Sequence, residues 1–237
     1  MLRKSLFLGA VLSVLALATS AQADFTFGVS PNTTTVRDTP VTGEQTILAI
    51  YNHVYAVELT SDLTWSDLNA YFISPQSDQL WDETMGTVIA RARFAGYQQR
   101  FGYYTDLGVG SARTQLIEVT NDSGYLSDPG VFYDASSSSQ IGFYRTGPDG
   151  NLWFSEVALN TRDHADHLVA FWSPYGTSCL LFWEDLPRCS WDYDYNDLAV
   201  QLVGVGPGGG GGPIPEPSSM LLVLAGLGGL AYWRRSR

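Results

Sequence analysis

Hydrophobic and polar residues alternate with a period of two along most of residues 24–203, which predicts β-strands. The runs are rich in Val, Ile, Tyr, Phe and Trp, and short turn-forming segments such as 121–124 and 148–151 separate them. We therefore predict an all-β domain, an antiparallel β-sandwich or jelly roll. Residues 60–72 predict one short helix that begins at a Ser or Thr cap. The predicted strands are 46–51 with 53–59, 87–94, 115–120, 140–145, 152–157, 167–172, 179–183 and 198–203.

The first 23 residues have the three parts of a secretory signal peptide. Arg3 and Lys4 precede an apolar run over 6–18, and Ala21 and Ala23 form a small-x-small cleavage pattern. The apolar run is shorter than the roughly 20 residues that span a bilayer. We predict cleavage after Ala23 and export of the body, residues 24–203.

The C-terminal end predicts a flexible linker followed by a single transmembrane helix. Residues 204–213 contain five consecutive glycines, which cannot support packed structure. The apolar stretch up to Trp233 would extend about 24 Å as a helix, slightly less than a bilayer core of roughly 30 Å. Arg234 and Arg235 follow it and predict a cytoplasmic C-terminus.

Three features of residues 214–237 together resemble the PEP-CTERM sorting signal of Gram-negative bacteria. They are Pro215-Glu216-Pro217, the glycine-rich apolar segment and the arginine cluster. The resemblance implies an exosortase as partner, an inner-membrane intermediate, and cleavage near Glu216 that delivers the body to the cell surface or extracellular matrix. It also implies association with exopolysaccharide. A simple tail anchor predicts the same orientation without the cleavage.

The charge composition argues against nucleic acid as a partner. The chain has 13 basic and 24 acidic residues and a formal net charge of −11, and no basic stripe is present to neutralise phosphates. Its only lysine is Lys4, in the predicted signal peptide. Lysine Schiff bases and P-loop lysines are therefore excluded from the mature chain.

The densest group of acidic residues lies at 184–197, before the last predicted strand. Carboxylate and amide oxygens at this spacing are the ligands that Ca²⁺ requires. The segment is not an EF-hand, because Asp197 stands where the loop needs glycine and Val203 where it needs glutamate. A solvated acidic hairpin is the alternative interpretation. The candidate ligands are Glu184, Asp185, Asp192, Asp194, Asn196 and Asp197.

The same segment carries a second resemblance. Glu184-Asp185-Leu186, followed by residues 192–198 and a closing strand, is similar to the end of the domain of unknown function 4114. The resemblance covers about residues 95–203, although residues 187–190 replace a link that is usually glycine-rich. It implies a β-rich extracellular module with suspected calcium binding and no assigned catalysis.

Cys179 and Cys189 are the only two cysteines, and they lie ten positions apart in a chain predicted to be exported. An even number of cysteines in an oxidising compartment favours a disulfide. Two free thiols are the alternative.

We expect a non-catalytic surface or matrix protein with an adhesive or carbohydrate-binding role. No Gly-x-Ser-x-Gly elbow is present. The alternative is a secreted glycosidase that uses two of Glu118, Glu156 and Glu184, with Trp153 or Trp183 as a sugar platform.

The sorting interpretation predicts that the mature protein lacks the residues after the cleavage point near Glu216. Mass spectrometry of the protein from its native membrane or matrix fraction measures this directly. A mature chain that still ends in Arg237 would contradict processing and support the simple tail anchor.

Overall fold

A computed structural model describes residues 24–38, 42–82, 84–105, 112–120, 123–147 and 150–204. The predicted signal peptide, the sorting signal at 214–237 and the linker after Gly204 lie outside these residues. None of the helices within the described ranges is both long enough and apolar enough to cross a membrane.

The described part of the chain is mostly β-sheet with a few short helices, as the sequence predicts. In chain order its strands are β1 (Asp24–Val29), β2 (Asn32–Arg37), β3 (Phe72–Ile73), β4 (Met85–Arg93), β5 (Gln99–Tyr104), β6 (Arg113–Val119), β7 (Gly124–Tyr125), β8 (Val131–Asp134), β9 (Gly142–Thr146), β10 (Leu152–Phe154), β11 (Leu168–Trp172), β12 (Ser178–Trp183) and β13 (Leu198–Val203).

The strands form two stacked sheets and one separate hairpin. The large sheet has the order β3-β11-β12-β13-β4-β7, and β8 pairs with the other end of β4. The small sheet has the order β10-β9-β5-β6, and β1 and β2 form the hairpin. Neighbouring strands run antiparallel throughout these pairings.

The large sheet is buried on both of its faces. One face packs against the small sheet in what we call the inter-sheet core, and the other packs against the N-terminal elements in the outer core. Strand β12 shows both, because Leu181 and Trp183 point into the inter-sheet core and Leu180 and Phe182 into the outer core. A central strand covered on both faces has an unbroken apolar sequence, as here.

The predicted strands at 46–51 and 53–59 are wrong. Helix α1 occupies Ile47–Val54, with the Thr46 hydroxyl capping its N-terminus by accepting a hydrogen bond from Ala49 N at 3.0 Å. Ile50 and Tyr51 face the outer core, whereas Val57, just beyond the helix, is fully exposed. The apolar run fits the strand period of two and the helical period of about 3.6, so the burial of one helical face decides that a helix forms.

The short helix predicted within 60–72 is confirmed as α2, Trp65–Leu68. Its cap is a capping box in which Thr64 and Asp67 satisfy each other's backbone N–H groups. The hairpin of β1 and β2 has no counterpart among the predicted strands. Its strands each contribute a side chain to the outer core, Phe27 from β1 and Val36 from β2.

The predicted disulfide between Cys179 and Cys189 is not formed. Cys179 lies near the beginning of β12, buried in the inter-sheet core, and Cys189 is exposed in a single 3-10 turn at Arg188–Ser190. An extended strand rises about 3.3 Å per residue, so β12 carries the chain roughly 13 Å away from Cys179 before the turn begins. A disulfide requires the two Cα atoms to lie within about 7 Å.

The packing of the small sheet requires a glycine at position 142. Gly142 pairs with Tyr104 across β5 and β9, and an added Cβ would lie 2.1 Å from the Tyr104 ring. That ring is buried, and its hydroxyl donates to Glu156 at 2.8 Å, so it has little room to move. We expect Gly142→Ala to lower the free energy of unfolding by about 1–3 kcal/mol in urea titrations.

The matched control is Gly96→Ala, because no atom lies within 4 Å of the added Cβ there. Equal stability of the two variants would contradict the packing described for the small sheet.

Candidate metal site in the connection between β12 and β13

The acidic residues converge because of the register of the last two strands. Trp183 pairs with Leu198, so the chain leaves β12 and enters β13 at the same end of the sheet. Glu184 directly follows the first residue of this pair, and Asp197 directly precedes the second. Asp197 Oδ2 accepts a hydrogen bond from the backbone N–H of Asp185 at 2.6 Å, which closes the base of the loop.

Glu184, Asp185 and Asp197 form what we call the inner triad. One carboxylate oxygen from each lies within 4.8 Å of those of the other two. Glu184 is fully buried, and its Oε2 has no hydrogen-bond partner within the described structure. Asp185 is better satisfied, because its Oδ2 accepts from Gln99 at 3.1 Å and lies 3.8 Å from Nη2 of the buried Arg145.

Glu44, Asp192 and Asp194 form the outer triad, with the same spacing of oxygens. Glu44 and Asp192 are half-buried, whereas Asp194 is buried. Asn196 links the triad to the start of α1: its Nδ2 donates to Asp194 Oδ2 at 3.0 Å and to the backbone oxygen of Gln45 at 3.0 Å.

Burial and mutual repulsion oppose ionisation of these carboxyls. Burial raises the pKa of Glu184 to about 10, and the neighbouring charge of Asp197 contributes to the shift. Burial and the charge of Asp192 raise the pKa of Asp194 to about 7. The pKa values of Asp185 and Asp197 are also raised, chiefly by burial. A bound cation would favour the ionised forms of all of these groups.

All six residues singled out in the sequence lie in this one loop, and five of them belong to the two triads. Asn196 supports the outer triad through hydrogen bonds. Sequence reasoning missed Glu44, which is about 150 positions away along the chain. No local pattern marks it, since its place in the site arises only when α1 packs on the large sheet.

The residues considered for glycoside hydrolysis do not come together in either of two cavities on the described surface. Glu118 lines one of these cavities by itself, while Glu156 and Glu184 line neither. The prediction that Trp153 or Trp183 serves as a sugar platform is wrong, because both rings are buried in the inter-sheet core and expose no face to a ligand.

We predict that the metal-free protein loses stability as the pH rises from 7 to 9. With a pKa near 10, Glu184 is protonated when folded and ionised when unfolded, so unfolding releases a proton and higher pH favours it. Each such proton contributes at most about 1.4 kcal/mol per pH unit. His167 adds little to the slope between pH 7 and 9, because burial lowers its pKa to about 4 and its effect on stability is concentrated between about pH 4 and its unfolded pKa of about 6.5.

Urea unfolding in the presence of chelator at pH 7, 8 and 9 measures the slope of the free energy of unfolding against pH. Glu184→Gln is expected to reduce the slope by the contribution of one proton, and the raised pKa of Asp197 maintains the remainder. Glu118→Gln on the exposed edge strand β6 is expected to leave the slope unchanged. A wild-type slope retained in Glu184→Gln would contradict the assignment.

Comparison with known proteins concerns the C-terminal end alone. Residues 213–237 match the family model described as the PEP-CTERM protein-sorting motif. Neither the comparison with curated proteins nor the comparison with solved structures gave a match. The resemblance of residues 95–203 to the domain of unknown function 4114 has no support from these findings. The motif implies an exported protein that is targeted to an exosortase and processed at the membrane before its release at the surface.

Proposed function

We propose that this chain is a non-catalytic surface or matrix protein whose body binds Ca²⁺ through the loop between β12 and β13 and adheres to exopolysaccharide. The sorting motif supports the surface location. The calcium proposal depends on one observation: two triads of carboxylates converge at the loop between β12 and β13, and the buried guanidinium of Arg145 lies beside the inner one.

The donor set suits calcium. Ca²⁺ takes six to eight oxygen ligands at about 2.3–2.6 Å and tolerates irregular geometry. Glu184 and Asp197 would hold an ion at the inner triad, where Glu184 Oε2 lacks a partner, and Asp192 and Asp194 would hold one at the outer triad together with Glu44. The available cysteine and histidine side chains contribute to neither triad, so the set favours a hard cation over zinc.

An ion at the outer triad would join distant parts of the chain. Glu44 precedes α1, while Asp192 and Asp194 lie in the loop that leads into β13. Calcium there would fasten the N-terminal layer to the large sheet by neutralising carboxylates that otherwise repel one another. Extracellular modules bind Ca²⁺ with dissociation constants of about 10⁻⁴–10⁻³ M, so such a site would be filled after export and not before it.

Calcium is expected to raise the melting temperature of the purified chain. At a concentration of about 100 times the dissociation constant, a ligand that binds the folded state alone adds about 2.7 kcal/mol, or roughly 5–10 °C for a domain of this size. Differential scanning calorimetry in excess Ca²⁺ and in chelator measures the shift. Identical melting under both conditions would overturn the calcium proposal.

The variant Asp194→Asn makes the test more specific, because it should stabilise the metal-free protein and weaken the stabilisation by calcium. In chelator it relieves repulsion by Asp192 and is expected to melt at or above the wild-type temperature, while the response to calcium is reduced or lost. Asp62→Asn is the matched control, since Asp62 is exposed and belongs to neither triad. It should keep the full calcium response.

A further inference from the structure

A cavity of about 510 Å³ lies beside the acidic loop, and the two triads do not use it. Its walls come from strand β2, the turn at 75–79, the segment 164–166 and four residues of the loop, Arg188, Trp191, Tyr193 and Tyr195. Its volume falls within the range of about 300–1,000 Å³ that is typical of small-molecule sites.

Aromatic rings and polar side chains together line this cavity. Trp191 packs edge-on against Tyr193, with ring centroids 5.3 Å apart, and Tyr193 is 37% exposed. Polar groups come from Gln76, whose side-chain amide is hydrogen-bonded to Asn32, and from the exposed side chains of His164 and Arg188. The side-chain donors of His164 and Arg188 make no hydrogen bond or ion pair within the described structure. Aromatic faces beside unused hydrogen-bond donors are the combination that a saccharide requires.

Backbone strain in the described structure is concentrated at this cavity. His164, Tyr193 and Tyr195 are the non-glycine residues with positive φ among the described residues, at 53°, 67° and 54°. All three line the cavity. Such conformations are energetically unfavourable for residues other than glycine and are frequent at ligand sites, where the surrounding structure enforces them.

The loop divides its side chains between the cavity and the outer triad. Asp192 and Asp194 belong to the triad, whereas the alternating residues Tyr193 and Tyr195 line the cavity. Hydrogen bonds hold this arrangement from both sides: Arg37 N donates to the backbone oxygen of Tyr193 at 2.7 Å, and Tyr195 Oη donates to the backbone oxygen of Asp166 at 3.1 Å.

We propose that this cavity binds a neutral saccharide and that calcium at the outer triad positions its aromatic wall. The saccharide site rests on the adhesion to exopolysaccharide proposed above and gives it a location, and the coupling rests on the proposed calcium site. An ion that holds Asp192 and Asp194 would fix the peptide units on both sides of Tyr193, and with them the ring that stacks on the sugar.

Electrostatics favour a neutral ligand over an acidic one. Arg188 brings one positive charge to the cavity, but Asp166 also lines it and five of the six triad carboxyls belong to the neighbouring loop. One Ca²⁺ ion leaves the three carboxylates of the outer triad with a net negative charge, so a uronate or a phosphate would still meet repulsion there. Hydroxyl groups accept hydrogen bonds from Arg188 and His164 without that cost.

The test is direct binding of defined oligosaccharides to the full chain by isothermal titration calorimetry. The probes are the hexamers of glucose (α-1,4 and β-1,4), mannose and xylose, with hexagalacturonate as the acidic arm. We expect at least one neutral hexamer to bind in the presence of Ca²⁺, and to bind at least tenfold more weakly to Tyr193→Asn. Asparagine tolerates positive φ, so this variant removes the ring without straining the loop.

The matched control is Tyr175→Asn, because Tyr175 is 62% exposed and lies in the turn between β11 and β12, away from the cavity lining. It should bind like wild type. Chelator should weaken the binding of the neutral hexamer to the wild-type protein at least severalfold. Unchanged affinity in chelator would overturn the proposed coupling between the calcium site and the cavity.

Two outcomes would overturn the saccharide site itself. One is a wild type that binds no neutral hexamer in excess Ca²⁺, and the other is full affinity in Tyr193→Asn. Stronger binding of hexagalacturonate than of every neutral probe would overturn the assignment of a neutral ligand. The absence of a calcium effect on the melting temperature would contradict the calcium site alone, so the two proposals are separable.

Discussion

Carboxylates gathered at one end of the large sheet repel one another, and this repulsion sets the charge balance of the last loop and of the elements packed around it. The pairing of Trp183 with Leu198 forces Glu184 and Asp197 together beside Asp185. The sandwich then buries Glu184 completely and places the buried cation of Arg145 beside Asp185. Buried charges need a counterion, so the loop either remains partly protonated or binds a cation from solution.

The three-layer arrangement explains why this end of the sheet carries the candidate chemistry. The inter-sheet core closes one face of β12 and β13, and the outer core fastens α1 and the β1–β2 hairpin to the other. Through the outer core, α1 brings Glu44 to the acidic loop, and β2 becomes a wall of the neighbouring cavity. The same loop therefore serves both features, with alternating side chains directed to each.

Several elements follow from local pattern and others do not. Strand β13 matches its predicted bounds, because an apolar run between an acidic turn and a glycine has one favourable structure. Helix α1 was predicted as strand, because Ile47 and Ile50 suit a pleated surface as well as a helical face. The disulfide was wrong for a geometric reason: spacing along the chain carries no information about how far an extended strand separates two cysteines.

By itself, the sequence determined the all-β character, the sorting motif at the C-terminus and the concentration of oxygen ligands in the last loop. These depend on composition and short-range order, which a linear pattern contains. Tertiary structure alone decided that Glu44 joins Asp192 and Asp194, that Trp153 and Trp183 are buried, and that Tyr193 faces a cavity. The physical reason is that burial on two faces of one sheet brings together segments up to about 150 residues apart, and no local signal encodes that contact.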